Sequence, residues 1–118
     1  MPAYLSPARA LLGLSPASRR RLEEFRRAAL RRLIRHAYER VPYYRRLFDE
    51  RGVDPASVRD VEDLGRIPVS PRGDLRSAGI RERVARGYDA DALCAVRTSG
   101  STGEPLNILR TPWESQAA

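Results

Sequence analysis

The chain has 118 residues, which is enough for one domain and short of the length of most two-domain enzymes. Hydrophobic residues make up 42% of it and charged residues 31%, a composition that excludes a disordered chain and predicts a soluble one. The longest unbroken apolar run, Ala92–Val96, is far shorter than the roughly 20 residues of a transmembrane helix. We therefore expect no transmembrane segment.

The basic residues are uniform in type and uneven in distribution. All 22 are arginine, and the net charge is +7. Residues 1–46 carry a net charge of +9 and residues 47–118 a net charge of −2. Cys94 is the only cysteine, which excludes an internal disulfide and a cysteine-based zinc site. A single thiol fits a reducing compartment, so we expect a cytoplasmic protein with no disulfide partner.

A long helix is predicted after an N-terminal tail of residues 1–14. Ser15-Pro16 is a typical helix start, with serine as the cap and proline at the first helical position. The helix is expected to run to about Arg40, where Pro42 ends it. Its apolar residues recur every three or four positions and predict one broad stripe, made of Leu22, Phe25, Ala29, Leu30, Leu33, Ile34, Ala37, Tyr38 and Val41.

Short helices are predicted next. Tyr43 to Arg51 has the pattern of a second helix, closed by Gly52. Three proline turns follow, at Asp54-Pro55, Ile67-Pro68 and Ser70-Pro71. The first and third have the cap-plus-proline form of a helix start.

A β-hairpin is predicted near the end of the chain. Ala92 to Arg97 and Leu106 to Leu109 are apolar runs of strand length, separated by a Gly/Ser/Thr loop. Thr111 to Glu114 has the form of a capping box. Two short strands do not make a stable sheet alone, and only four residues follow Glu114. The sequence thus predicts an α+β fragment, with residues 15–118 a truncated part of a larger mixed α/β domain.

The candidate ligand-binding segment of the sequence is the loop Thr98–Pro105. From Thr98 to Gly103 every residue is small or hydroxylic, so backbone N–H groups and hydroxyls can surround an anion. This composition favours polyphosphate binding. The loop is not a Walker A motif, which requires a lysine that the chain lacks.

The order T-S-G-S-T-G-E-P after a short strand resembles the phosphate-binding loop of adenylate-forming enzymes, the acyl-CoA synthetase superfamily. The upstream sequence looks like the N-terminal portion of the phenylacetate–CoA ligase branch, including its CapK-like relatives. This likeness rests on the segments His36–Arg45, Phe48-Asp49-Glu50, Ile67-Pro68 and Asp74-Leu75-Arg76. The resemblance covers about residues 20–110.

The resemblance implies ATP-dependent activation of a carboxylic acid to an acyl-adenylate, with transfer to coenzyme A common in the family. By this resemblance Thr98–Gly103 is a cofactor-binding segment, in which the residues after Thr98 would hold the β- and γ-phosphates of Mg²⁺-ATP. Those residues are Ser99, Gly100, Ser101, Thr102 and Gly103. Leu106 stands where many superfamily members have a lysine.

The family's remaining machinery is not matched in this sequence. Its adenine and acyl pockets, acidic magnesium ligand and catalytic lysine lie further along, so the resemblance assigns no catalytic and no metal-binding residue here. We therefore expect the isolated chain to be inactive. The missing parts of the domain leave open an arrangement in which a second chain supplies them.

Other interpretations are simpler. The loop can be an ordinary hairpin loop, His36 a structural residue and Cys94 a small buried residue of a strand. The basic first helix, with Tyr43 and Tyr44 near it, is also compatible with a small basic helical module that binds nucleic acid or a membrane surface. Glu23, Glu24 and Glu39 interrupt that charge and favour a solvated helix face.

Overall fold

The structure, a computed structural model, describes residues 15–98, 103 and 105–116. The predicted tail, residues 1–14, lies outside this part. So do four predicted site residues, Ser99, Gly100, Ser101 and Thr102.

Two helices lie end to end at the start of the described chain. Helix α1 spans Pro16–Arg40, and the Ser15 hydroxyl accepts a 3.2 Å hydrogen bond from the N–H of Ser18. Val41 is extended because it precedes Pro42, so α1 ends there and α2 begins, spanning Pro42–Glu50. Gly52, at φ 61°, then reverses the chain in the left-handed region. The predicted start of α1 and the glycine stop after α2 are confirmed.

Short elements fill the middle of the chain. They are 3₁₀ turns at Pro55–Ser57 and Val61–Arg66, helices α3 (Arg72–Ser77) and α4 (Ile80–Arg83), and a 3₁₀ turn at Ala90–Ala92.

Two of the predicted helix starts in this region need correction. Asp54 caps only a three-residue 3₁₀ turn, because the chain returns to extended backbone at Val58. Ser70 is not a helix cap: α3 begins one residue later than its proline suggests, with Pro71 itself at the cap position.

The core consists of two small clusters on either side of α2. In the first, Ile34, Phe48 and Val58 are buried, and the rings of Tyr38 and Phe48 meet edge to face at 6.1 Å. In the second, Val41 and Tyr43 pack with Ala78, which joins α2 to the end of α3. The first cluster holds α2 and the turn at Pro55–Ser57 against the C-terminal half of α1, and the second holds α3 against α2.

The predicted β-hairpin is present. Strand β1 (Cys94–Arg97) pairs antiparallel with β2 (Asn107–Arg110), in a register that places Val96 opposite Ile108. Both strands begin later than predicted, by two residues for β1 and one for β2. Helix α5 (Pro112–Gln116) follows, and its capping box is confirmed by hydrogen bonds between Thr111 and Glu114. The described chain is therefore α+β, with a helical region followed by a hairpin.

Burial differs from the prediction at two places. The predicted apolar stripe of α1 is buried on one side only: Ile34 is 8% exposed, whereas Phe25 and Leu33 are 71% and 62% exposed. Cys94 is exposed rather than buried, because every residue of β1 is exposed. Within the described residues, no helix has the length and apolar character to cross a membrane.

Candidate functional site

Thr98 closes the base of the predicted phosphate loop. It follows β1 directly, and its N–H donates a 3.0 Å hydrogen bond to the carbonyl of Leu106. The N–H of Leu106 in turn donates to Thr98 Oγ1, also at 3.0 Å. The hairpin ladder is thus extended by one reciprocal pair, and this pair sets where the intervening loop leaves and rejoins the strands.

Two arginines from the short helices contact the hairpin next to this pair. Arg72 Nη2, from the start of α3, donates to Thr98 Oγ1 at 3.2 Å. Arg83 Nη1, from the end of α4, donates to the carbonyl oxygen of Asn107 at 2.9 Å. Each arginine is more than 20 residues from its partner in sequence, so the fold brings these charges to the hairpin.

The chemistry of this site suits an anion. Guanidinium groups and a hydroxyl are donors that bind phosphate oxygens well, and here they stand at the entry of a Gly/Ser/Thr loop. Leu106 is half-buried, and its backbone N–H and carbonyl hold the base of the loop. Among the described residues, no group of three His, Cys, Asp or Glu side chains could hold a metal ion.

Among the predicted cofactor-binding residues Thr98–Gly103, the structure describes Thr98 and Gly103. Gly103 is exposed, and a Cβ built on it meets no atom of the described chain within 4 Å. Its φ is not in the left-handed region. A requirement for glycine here would therefore come from the approach of a ligand rather than from the backbone of the free chain.

The other singled-out residues do not form a site. His36 is exposed on α1, beside Phe25 and Leu33, and Cys94 is exposed on β1. Sequence reasoning missed Arg72 and Arg83. Their partners are remote in sequence, and the only local signal was that the loop lacks its own cation.

The carboxylates with perturbed pKa values serve turns and helix ends. The backbone N–H of Val61 and the Arg27 guanidinium lower the pKa of Asp60. The N–H groups of Arg59 and Thr111 likewise lower the pKa values of Asp63 and Glu114. Each carboxylate accepts from a backbone donor that would otherwise be unpaired, which is a structural role.

The basic surface is partly neutralised by the chain's own acids. Arg20 pairs with Glu24 at 3.0 Å within α1, and both Arg26 and Arg27 pair with Asp60. These pairs weaken the continuous positive field that a nucleic-acid or membrane surface would require.

Comparison with known proteins points to one family. No family model matches the chain. It is 42% identical over 102 residues to phenylacetate-coenzyme A ligase of Thermus thermophilus, covering 80% of this chain and 21% of the relative. The corresponding ligase of Aromatoleum evansii is 38% identical over 105 residues, a match that covers 80% of this chain and 22% of that ligase. That of Escherichia coli is 34% identical over 102 residues, with the same shares.

These matches confirm the resemblance seen in the sequence. The chain is related to phenylacetate-coenzyme A ligases and spans about a fifth of the length of the relatives it matches.

Proposed function

We propose that this relative of phenylacetate-coenzyme A ligases is the phosphate-loop portion of an ATP-dependent ligase that activates a carboxylic acid. The complete enzyme would form an acyl-adenylate and pass the acyl group to coenzyme A. The observation that carries the proposal is the similarity to several ligases of this name across about 80% of the chain. The hairpin with its donors at the loop base supports it.

The loop residues would act on the leaving group. In adenylate formation the carboxylate oxygen attacks the α-phosphorus of ATP, and the bond from that phosphorus to the pyrophosphate oxygen breaks. Ser99, Ser101 and Thr102 would donate hydroxyl hydrogen bonds to the β- and γ-phosphates, while Gly100 and Gly103 let the backbone approach them. The Thr98–Leu106 pair would fix the loop for this task.

Magnesium and the acyl group would be bound by other parts of the complete enzyme. The described residues hold no cluster of metal ligands, so no step involving the metal is assigned to them. The whole chain has no lysine to supply the family's catalytic lysine. We accordingly propose that the 118-residue chain is inactive alone, because one loop cannot orient an acid against the α-phosphate.

A chimera tests this proposal. The segment of the Thermus thermophilus ligase that aligns with this chain is replaced by the chain's own residues, and phenylacetate-dependent exchange of labelled pyrophosphate into ATP is measured. We expect exchange by the chimera and none by the isolated chain. A folded chimera without exchange would contradict the proposal, as would exchange by the isolated chain in a preparation free of other ligases.

A further inference from the structure

One apolar side of α1 packs against nothing in the described structure. We propose that in the complete ligase it is covered by a segment from the part of the enzyme that this chain does not span. We further propose that this segment carries apolar side chains bordered by carboxylates. The inference rests on the proposed function, because it assigns the covering segment to the same enzyme. The chain spans about a fifth of the length of the ligases that it matches.

The apolar side chains recur along this side of the helix. Phe25, Ala29 and Leu33 stand four residues apart, and Leu22 precedes Phe25 by three. We call these four residues the α1 face. Phe25 is 71% exposed, Leu33 62% and Leu22 43%. A groove of about 420 Å³ lies on this face, lined by Phe25, Ala28, Ala29, Arg32, Leu33 and His36.

The extent of the α1 face is what points to a partner. A single exposed apolar residue is common on protein surfaces, but a contiguous exposed patch of large apolar side chains marks a contact with another element. The described core uses a different side of the same helix, where Ile34 packs with Phe48 and Val58. The α1 face is therefore apolar surface that remains available for a second contact.

Arginines border the α1 face and set the charge expected of its partner. Arg32 lines the groove, and Arg21 lies about one helical turn before Phe25. Among the described residues neither of these arginines forms an ion pair, although their neighbours Arg20 and Arg26 do. Carboxylates at the edges of the covering segment would pair with the two guanidinium groups.

The charge of α1 also disfavours a second copy of the chain as the partner. Pro16–Arg40 contains nine arginines and three glutamates, so the helix carries a net charge of +6. Two such helices packed through their α1 faces would bring like charges together, which opposes association. An acidic border on a different segment removes this repulsion.

The reactivity of an introduced thiol measures whether the α1 face is covered. Leu33→Cys places the thiol on this face, and Phe25→Cys provides a second position there. Arg35→Cys is the matched control, because Arg35 is also exposed and lies about 200° around the helix from Leu33. Each variant is made in a Cys94→Ala background, in the 118-residue chain and in the Thermus thermophilus chimera. Reaction with N-ethylmaleimide is followed by mass spectrometry of the labelled peptides.

We expect the thiol at position 33 to react at least about tenfold more slowly in the chimera than in the isolated chain, because the face is covered there. The thiol at position 35 should react at similar rates in both. Adding Arg32→Glu should weaken the protection at position 33, because it sets a carboxylate against the carboxylates of the partner, whereas Arg35→Glu should not. Each rate in the chimera is divided by the rate of the same variant in the isolated chain, which removes direct effects on the thiol.

Pyrophosphate exchange by the chimera separates this inference from the proposed function. An active chimera whose thiol at position 33 reacts as fast as in the isolated chain refutes the covering segment and leaves the proposed function standing. A protected thiol in a folded chimera without exchange supports the covering segment and contradicts the ligase activity. Full protection in the presence of Arg32→Glu would refute the carboxylate border.

Other occupants of the α1 face give different results. Protection in the dilute isolated chain would mean that the chain covers its own face, and protection that rises with its concentration would mean that a second copy does. Protection of the isolated chain by phosphatidylglycerol vesicles, with none in the chimera, would assign the face to a lipid surface. Each of these outcomes would overturn the proposal.

Discussion

Two neighbouring residues of α1 differ in burial although the sequence pattern predicts the same environment for both. Ile34 and Leu33 both belong to the predicted apolar stripe, but Ile34 is 8% exposed and packs with Phe48 and Val58, whereas Leu33 is 62% exposed. Adjacent helical positions are about 100° apart around the axis, so a stripe this broad reaches both sides of the helix. The described structure covers only one of those sides.

This difference predicts unequal effects of truncation. Ile34→Ala should lower the free energy of unfolding by about 2–4 kcal/mol, because it removes buried methyl groups and leaves a cavity. Leu33→Ala should change it by less than about 0.5 kcal/mol, as is usual for an exposed position. Urea unfolding followed by circular dichroism measures the free energy of unfolding of both variants. Equal losses of this free energy would show that the exposed face of α1 is covered in solution.

At the scale of elements, capping determines where the short helices and turns begin. Asp63 accepts from the N–H groups of Arg59 and Asp60, at 2.9 and 3.3 Å, and the Asp60 side chain accepts from the N–H of Val61. Glu114 accepts from the N–H of Thr111 at 2.7 Å. Elements this short gain little from their own helical bonds, so these charged acceptors matter for their stability.

The caps predict a loss of stability in acid. The pKa values of Asp60, Asp63 and Glu114 are lowered by their backbone donors, so the folded state favours the ionised carboxylates. Their contribution is complete above the ordinary carboxyl pKa of about 4 and is lost as the pH falls through the lowered folded values. The melting temperature should thus be lower at pH 3 than at pH 6.

Asp60→Asn provides the control for this prediction. Asparagine keeps a capping oxygen and has no charge to lose, so the difference between the two melting temperatures should become smaller. An unchanged difference would mean that Asp60 does not contribute to the acid sensitivity.

The ends of several elements were predictable because they depend on residues close together in the sequence. The contacts of the site and the burial were not, because they depend on residues that are far apart in the sequence. Ser15-Pro16, Thr111–Glu114 and Gly52 act within one helical turn, so the sequence alone located the ends that they form. The contact of Arg72 with Thr98 depends on how α3 packs, which no local pattern encodes. The exposure of Cys94 likewise depends on what lies over the hairpin.

At the scale of the whole molecule, the uneven charge is partly balanced across the fold. The first 46 residues carry a net charge of +9 and the remainder −2, and ion pairs join the two parts. Arg27 pairs with Asp60, and Arg46 pairs with Glu82 at 3.2 Å. The acids of the later segment thereby offset some of the basic helix.

This balance predicts weak, salt-sensitive binding to nucleic acids. Any association of the chain with RNA or DNA should disappear by about 200 mM salt, since only nonspecific phosphate contacts would support it. Fluorescence anisotropy with a labelled oligonucleotide at 50 and 200 mM salt measures this. Binding that persists at the higher concentration would favour the alternative of a basic nucleic-acid module.

Substitutions in the Gly/Ser/Thr loop of the Thermus thermophilus chimera test the proposed phosphate-binding role of this loop. Ser101→Ala and Thr102→Val each remove a hydroxyl and nearly preserve size, so pyrophosphate exchange should fall by a factor equivalent to about 1–3 kcal/mol for each. Replacing Gly100 or Gly103 by alanine should cost more, because a Cβ would hinder the approach of phosphate. His36→Ala and Cys94→Ala are the controls and should leave exchange largely intact. Fully active loop variants beside an inactive His36→Ala would contradict the proposed role of the loop.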